Sequence, residues 1–332
     1  MRRRDFINVV IGSAATWPFA ANAQQSAGKI SRIGFVGSAT ADGMAERLVA
    51  LRTGLRDLGY QEGQNIIIEY RWADEHYERL PALFAEMVRL NVDVIVTGGT
   101  PGALAAKRTT TKIPVIFAVV GDAIASGIVS SLGKPEGNIT GLTYFNPELS
   151  AKRLELLKET MPTLTDVGVL TNPENPFNET IIPAMELTAQ TLKLTLHQFG
   201  ARRVAELGEA FAAMVTKRMG AFVVLDDPIL VTNPSAVAKL ALQQHLPSSG
   251  SPEYAIAGGL MAYGVNVLDM YRRAARLVDK ILKGIKPTDV PVERATKFEL
   301  IINLKTAKAL NFNVSLTART RRLVGPHLAG WG

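Results

Sequence analysis

Val92-Asp93-Val94-Ile95-Val96-Thr97-Gly98-Gly99-Thr100-Pro101-Gly102 decides the fold class. Its first five residues predict a short buried strand. Two glycines then break the pattern, and Pro101 suits the first position of a helix. A strand running through a glycine loop into a helix is one unit of a parallel α/β sheet. The theme repeats on both sides. Upstream, Ile33 to Gly37 reads as a strand, and Met44, Leu48, Leu51, Leu55 and Leu58 mark one helix face that Gly59 ends. A strand over 66–70 and a helix over 80–90 follow. Downstream, 114–120 is the fourth strand.

After Gly141-Leu142-Thr143 the alternation restarts. Helices over 149–159, 181–192, 204–219 and 236–245 separate strands at 167–170, 194–197 and 221–225, with a weaker one at Leu246-Pro247-Ser248. The tail offers strands at 260–264 and 298–302 and helices at 270–282 and 304–310. These pieces are too few for a third core, so they complete the earlier sheets and the chain crosses between them more than once. The expected class is α/β: two doubly wound parallel-sheet lobes, each sheet covered on both faces. The divisions expected are 30–142 plus about 266–290 for lobe I, and 143–265 plus about 291–332 for lobe II.

The composition fits this reading. The 332 residues are 47% hydrophobic and 20% charged, with a formal charge of +7. There is no cysteine, which excludes disulfides, thiolate metal sites and cysteine nucleophiles. Residues 1–23 read as an export leader: Arg2-Arg3-Arg4 precedes Phe6 in a twin-arginine-like start, a weakly apolar run follows, and Ala21-Asn22-Ala23 is a small-x-small cleavage site. The mature chain is therefore expected in the periplasm. No later segment approaches the roughly 20 apolar residues of a membrane span. Positive charge is scattered over Arg202-Arg203, Arg272-Arg273 and Arg319 to Arg322 without interleaved aromatics, which argues against nucleic acid.

Ligands of open parallel sheets meet the loops at the strands' carboxyl ends, where helix N-termini offer free N–H groups. Those loops hold Ser38 and Thr40, Thr97 to Gly102, Asp122, Asn175 and Asn178, Asp226-Asp227, and Ser249 to Tyr254. The amides near Thr100 suit a carboxylate; capping of its own helix is the plainer role for Thr100, and for Asp122, Asp226, Asp227 and Glu253. Phe177, Tyr254 and Tyr263 could wall a side-chain pocket. Catalysis has little support. His76, His197, His245 and His327 share no metal-ligand spacing, no G-x-S-x-G elbow or nucleotide-binding glycine motif exists, and adjacent Asp226 and Asp227 should point apart. No metal or cofactor is expected.

Pro114 to Thr143, Ala257 to Gly264 and Lys297 to Leu310 resemble, in order, segments of ABC transporter substrate-binding proteins of the tryptophan/tyrosine-type group. The resemblance implies a type I periplasmic binding fold with a hinge of crossing strands and a ligand clamped between lobes. It implies delivery to a membrane permease, and a ligand that is an aromatic or other apolar amino acid. By position in that fold, Ser38, Thr100 and Asp122 face the cleft from the first lobe, and Asn175, Asn178, Asp226 and Glu253 from the second. Thr40 and Tyr254 complete the expected ligand set. The chain differs from such relatives in carrying Ser248-Ser249-Gly250-Ser251-Pro252 where they have a longer, more aromatic stretch.

The expected function is capture of a small carboxylate-bearing solute by a monomeric, non-catalytic binding protein. Two rivals use the same fold: a sensory module reporting to a receptor kinase or regulator, and an enzyme on a small acid with Asp226 or Asp227 as base.

Overall fold

The apolar strands assemble into two sheets in a computed structural model that describes residues 30–312 and 322–324. The leader expected over 1–23, with Arg319, Arg321 and His327, lies outside these residues. The first half of the chain alternates β1 (Ser31–Gly37), α1 (Ala45–Asp57), β2 (Ile66–Trp72), α2 (Leu80–Arg89), β3 (Val94–Thr97), α3 (Thr100–Thr109), β4 (Val115–Val120) and β5 (Ile139–Thr143). The second half runs α4 (Asn146–Thr160), β6 (Asp166–Thr171), α5 (Asn178–Leu192), β7 (Thr195–Gly200), α6 (Leu207–Thr216), β8 (Ala221–Val224), α7 (Pro228–Thr232), α8 (Pro234–Gln243), β9 (Ser248–Gly250), α9 (Pro252–Ile256) and β10 (Met261–Val265). The tail adds α10 (Val267–Leu282), β11 (Glu293–Arg294), β12 (Phe298–Asn303), α11 (Leu304–Ala309) and β13 (Arg322–Val324).

The first sheet has the order β11-β5-β4-β3-β1-β2 and the second β13-β12-β10-β9-β8-β6-β7. Within each, the first strand of the half lies between the second and the third, so both sheets reverse winding direction at one place. Pairing is parallel except where β12 runs antiparallel to β10. In β1, Ile33 and Phe35 join the layer under α1 and α10, while Val36 joins the opposite layer with Phe84 and Met87. Phe211 and Phe222 fill one face of the second sheet, Val169 and Met185 the other. Burial on both faces explains why these strands read as unbroken apolar runs.

The tail completes both sheets, as expected. Helix α10 packs on α1 and joins the first lobe's core, whereas β10 and β12 pair in the second sheet. Glu293–Arg294 pairs with β5, so the chain leaves the first sheet after residue 294 instead of near 291. Three segments cross between the sheets: 144–145, Asn266 and 295–297. Where the first and last meet, the Arg294 guanidinium lies 3.6 Å over the Phe145 ring, and the Ala295 amide donates to the Thr143 carbonyl at 2.9 Å.

Some elements differ from the sequence reading. Strand β5 was not expected; Gly141 interrupts its apolar pattern because its Cα lies against the Phe117 carbonyl, where a Cβ would collide. Helices α7 and α9 have five residues each, too few to show a helical period. The weak strand expected at 246–248 sits at Ser248–Gly250, and the helix expected over 204–219 is a 3₁₀ turn at Val204–Glu206 followed by α6.

Candidate functional site

Both winding reversals open toward one another, and a cleft of about 690 Å³, partly open to solvent, lies between them. From the first lobe come Ser38 after β1, and Gly98, Gly99 and Thr100 after β3. Gly99 has φ of +79°, a turn that a side chain would strain, and its Cα faces Pro228 of the other lobe. Thr100 then opens α3, whose first-turn amides have no intrahelical acceptor. Ser38 is 2% exposed, and its Oγ is buried without a partner.

The second lobe contributes Asn175 after β6, Asp226 after β8, and Ser251 and Pro252 after β9. Asp226 is held by Arg153 of α4, whose side chain is fully buried: Nη1 meets Oδ1 at 2.9 Å and Nη2 meets Oδ2 at 3.0 Å. Arg153 also donates to the carbonyls of Tyr263 and Val224, at 2.8 and 3.1 Å. Tyr144 reaches Asp226 Oδ2 at 3.4 Å. Beside this pair, Ser251 Oγ and Glu253 Oε2 are buried without partners. Burial pushes the Glu253 carboxyl above the ordinary glutamate value. The apolar wall consists mainly of Val119, Phe177, Pro228, Val265 and Tyr271.

The lobes touch. Tyr77 donates to Asp227 Oδ2 at 2.8 Å, Glu75 accepts from the Val204 amide at 3.0 Å, and Arg203 Nη2 stands 3.9 Å from Glu78. Asp226 and Asp227 do point apart: the first faces the cleft, while the second caps α7 through the Ile229 amide at 2.9 Å. Asp227 also accepts from Asn175 at 2.9 Å and Asn172 at 3.4 Å. Burial outweighs these donors and raises its carboxyl to about 6.

Folding raises the Asp227 value above the roughly 3.9 of an exposed aspartate, so the closed fold binds the proton more tightly than the unfolded chain. The resulting stability is whole below about pH 4 and is lost as pH rises through about 6. It amounts to about 2–3 kcal/mol. Asp227→Asn should flatten this part of the pH profile of the urea midpoint between pH 4 and 7. An unchanged slope in the variant would assign the effect to another group.

Of the nine expected ligand residues, Ser38, Thr100, Asn175 and Asp226 line the cleft, and Glu253 lies behind it with Oε2 unpartnered. The other four are occupied locally. Thr40 Oγ1 accepts from the Gly43 amide at 3.2 Å. Asp122 Oδ1 accepts from the Ile124 and Ala125 amides, each at 2.9 Å. Asn178 bonds Thr171 and the Asn172 carbonyl. Tyr254 bonds Ser248 at 2.6 Å, and its ring fills the second lobe's core. Polar residues at turns satisfy nearby amides first, so a place at a strand end does not by itself bring a side chain to the ligand.

Arg47 and Arg153 line the cleft and were not expected. A signal for both was present. Arg47 lies three residues after Met44 and four before Leu51, and Arg153 four after Leu149 and four before Leu157; each is a charge inside an apolar helical stripe.

A hinged pair of parallel α/β lobes with a polar-lined crevice between strand ends defines a two-lobed solute-binding protein of the type I periplasmic binding fold. The chain belongs to the ABC transporter substrate binding protein family, whose profile matches residues 32–319. It is 29% identical over 259 residues to a tyrosine-binding protein of Clostridioides difficile, covering 77% of this chain and 74% of that one. Among solved structures it resembles a conserved domain protein from Vibrio cholerae, with a TM-score of 0.80 and 25% identity over 87% of this chain and 97% of the other. An ABC domain in complex with L-Trp from Streptococcus pneumoniae shares the fold, with a TM-score of 0.78 and 23% identity over 86% and 96% of the two chains. Among the described residues, no helix is long and apolar enough to cross a membrane.

Proposed function

We propose that this substrate-binding protein captures an α-amino acid with an apolar or aromatic side chain, in the periplasm, as a monomer without catalytic activity, after loss of its leader behind Ala23. One observation carries the reading: buried polar groups without partners stand on both sides of the cleft, Ser38 Oγ on the first lobe and Ser251 Oγ with Glu253 Oε2 on the second. Ser38 Oγ and the first-turn amides of α3 offer donors on one wall, and Glu253 Oε2 beside Asp226 offers acceptors on the other. A zwitterion laid across the cleft answers both, its carboxylate toward α3 and its ammonium toward the acids. The apolar wall around Phe177 and Tyr271 takes the side chain. The tyrosine-binding relative supports this ligand class.

In this reading Ser38, Thr100, Asn175, Asp226 and Glu253 contact ligand, and Thr40, Asp122, Asn178 and Tyr254 hold the loops that carry them. The lobes divide near residues 144, 266 and 295, and closure over the ligand presents one joined surface to the permease. Binding to the native state alone stabilises it by RT ln(1 + [L]/Kd), about 2.7 kcal/mol at a hundredfold excess over Kd. An amino-acid and aromatic-acid panel should therefore contain compounds that raise the melting temperature by on the order of 5 °C. A flat panel would overturn the ligand class. Ligand recovered chemically unchanged would agree with binding, whereas turnover would establish an enzyme.

A further inference from the structure

Arg47 is 5% exposed, stands on the first turn of α1 and lines the cleft. Its hydrogen bonds reach two main-chain carbonyls. Nη1 donates to Gly43 in its own lobe at 3.4 Å, and Nη2 donates to Val231 in the opposite lobe at 3.0 Å. Among the described residues, the other three of its five guanidinium N–H groups meet no acceptor. Among the described residues no carboxylate comes within ion-pair distance of it. Glu253 feels its charge, but from farther away.

Arg153 shows what this protein does with a buried guanidinium that has a structural task. It is buried more deeply still, and it holds Asp226 with both terminal nitrogens and two carbonyls besides. Taking a charge out of water without a counter-ion is strongly unfavourable. Arg47 lines the cleft at the wall where Ser38 Oγ is unpartnered and where α3 begins. Every unsatisfied group named on this wall can donate a hydrogen bond.

Resting on the amino-acid reading above, we propose that Arg47 is the counter-ion of the ligand's carboxylate and the side chain through which that anion holds the lobes shut. A guanidinium can do both, because its planar fork presents separate edges. One edge keeps the Val231 carbonyl of the second lobe and another meets the carboxylate. The cleft thereby requires an anion: a free acid binds, and the same molecule with its carboxylate converted to an amide does not.

The test is a cycle between residue and ligand group, by titration calorimetry on the mature chain. The probes are L-tyrosine, L-tryptophan, L-phenylalanine and L-leucine, each with its primary amide, against the parent, Arg47→Gln and Arg47→Lys. For an acid that binds, the parent should prefer it over its amide by about 100-fold or more, and Arg47→Gln should weaken the acid by about 100-fold. The amide's affinity should change by less than about threefold, so the preference for acid collapses. Arg47→Lys should recover part of it. Ligand-free melting temperatures of the variants should stay close to the parent's, and if the Gln variant fails to fold, the Lys variant carries the test with the same sign. Acid and amide weakened equally would make Arg47 a structural residue and overturn the proposal alone. An unchanged acid affinity would do the same. A parent that binds none of the acids would overturn the amino-acid reading and this proposal with it.

Discussion

A chain carrying Arg153→Met should melt on the order of 10 °C below the parent. Arg153 is fully buried and makes four hydrogen bonds, two of them to Asp226, whose side chain is 10% exposed. Removing the guanidinium leaves a nearly buried carboxylate with only the Tyr144 hydroxyl, at 3.4 Å, and strips the Tyr263 and Val224 carbonyls of a donor. Breaking a buried pair from one side costs about 3–5 kcal/mol, and each kcal/mol moves the midpoint of a domain this size by roughly 2–4 °C. Most of the loss comes from the charge left behind. Adding Asp226→Leu to Arg153→Met should therefore return much of the melting temperature while abolishing ligand binding, since Asp226 lines the cleft. Scanning calorimetry of the parent, the single variant and the double variant decides it. A single variant within about 2 °C of the parent would mean that water reaches Asp226 and that the pair contributes little.

That pair also marks the limit of what could be read from the chain. The alternation of strand and helix was legible because Val94 to Val96 or Ala221 to Val224 are buried on both faces and must be apolar throughout. The loop at Gly98-Gly99-Thr100 was legible because its backbone conformation demands glycine, as the φ of +79° at Gly99 shows. Side-chain allegiance was not. Asp122 and Asp226 each follow the carboxyl end of a strand and look alike in sequence. One turns back onto the Ile124 and Ala125 amides, and the other is drawn into the cleft by an arginine 73 positions earlier. Local amides compete for every polar side chain at a turn, and only a partner brought by the tertiary fold reverses the outcome. Tyr254 is turned inward for a related reason: Ser248, six residues away, bonds its hydroxyl while the ring packs in the core. A charged residue on an apolar helix face, by contrast, has no local explanation. Arg47 and Arg153 are therefore the more informative positions, although neither stands in a strand-end loop.

Gly121→Val should lower ligand affinity on the order of 100-fold while leaving the ligand-free fold nearly as stable as the parent's. Gly121 follows β4 in the first lobe. A Cβ placed there would lie 2.6 Å from Cε1 of Phe177 and 3.2 Å from Cβ of Asn146, both on the side of the second lobe. Phe177 is 3% exposed and packed among Leu154, Val167 and Ile181, so its ring has nowhere to retreat. Gly121 is not among the glycines with positive φ, so valine does not strain its own backbone, and the closest collision is with a ring carried by the opposite lobe. If the added methyl groups disfavour the closed arrangement by about 3 kcal/mol, the apparent Kd rises by the inverse of the closed fraction, roughly a hundredfold. X-ray scattering then distinguishes the causes. The parent should contract when saturated with its ligand, and Gly121→Val should keep its ligand-free dimensions at the same concentration. A variant that contracts normally and binds with parental affinity would show that Phe177 is not fixed against the first lobe. Loss of affinity with an intact melting transition identifies a jaw that cannot shut, because a lobe that cannot fold would lose both at once.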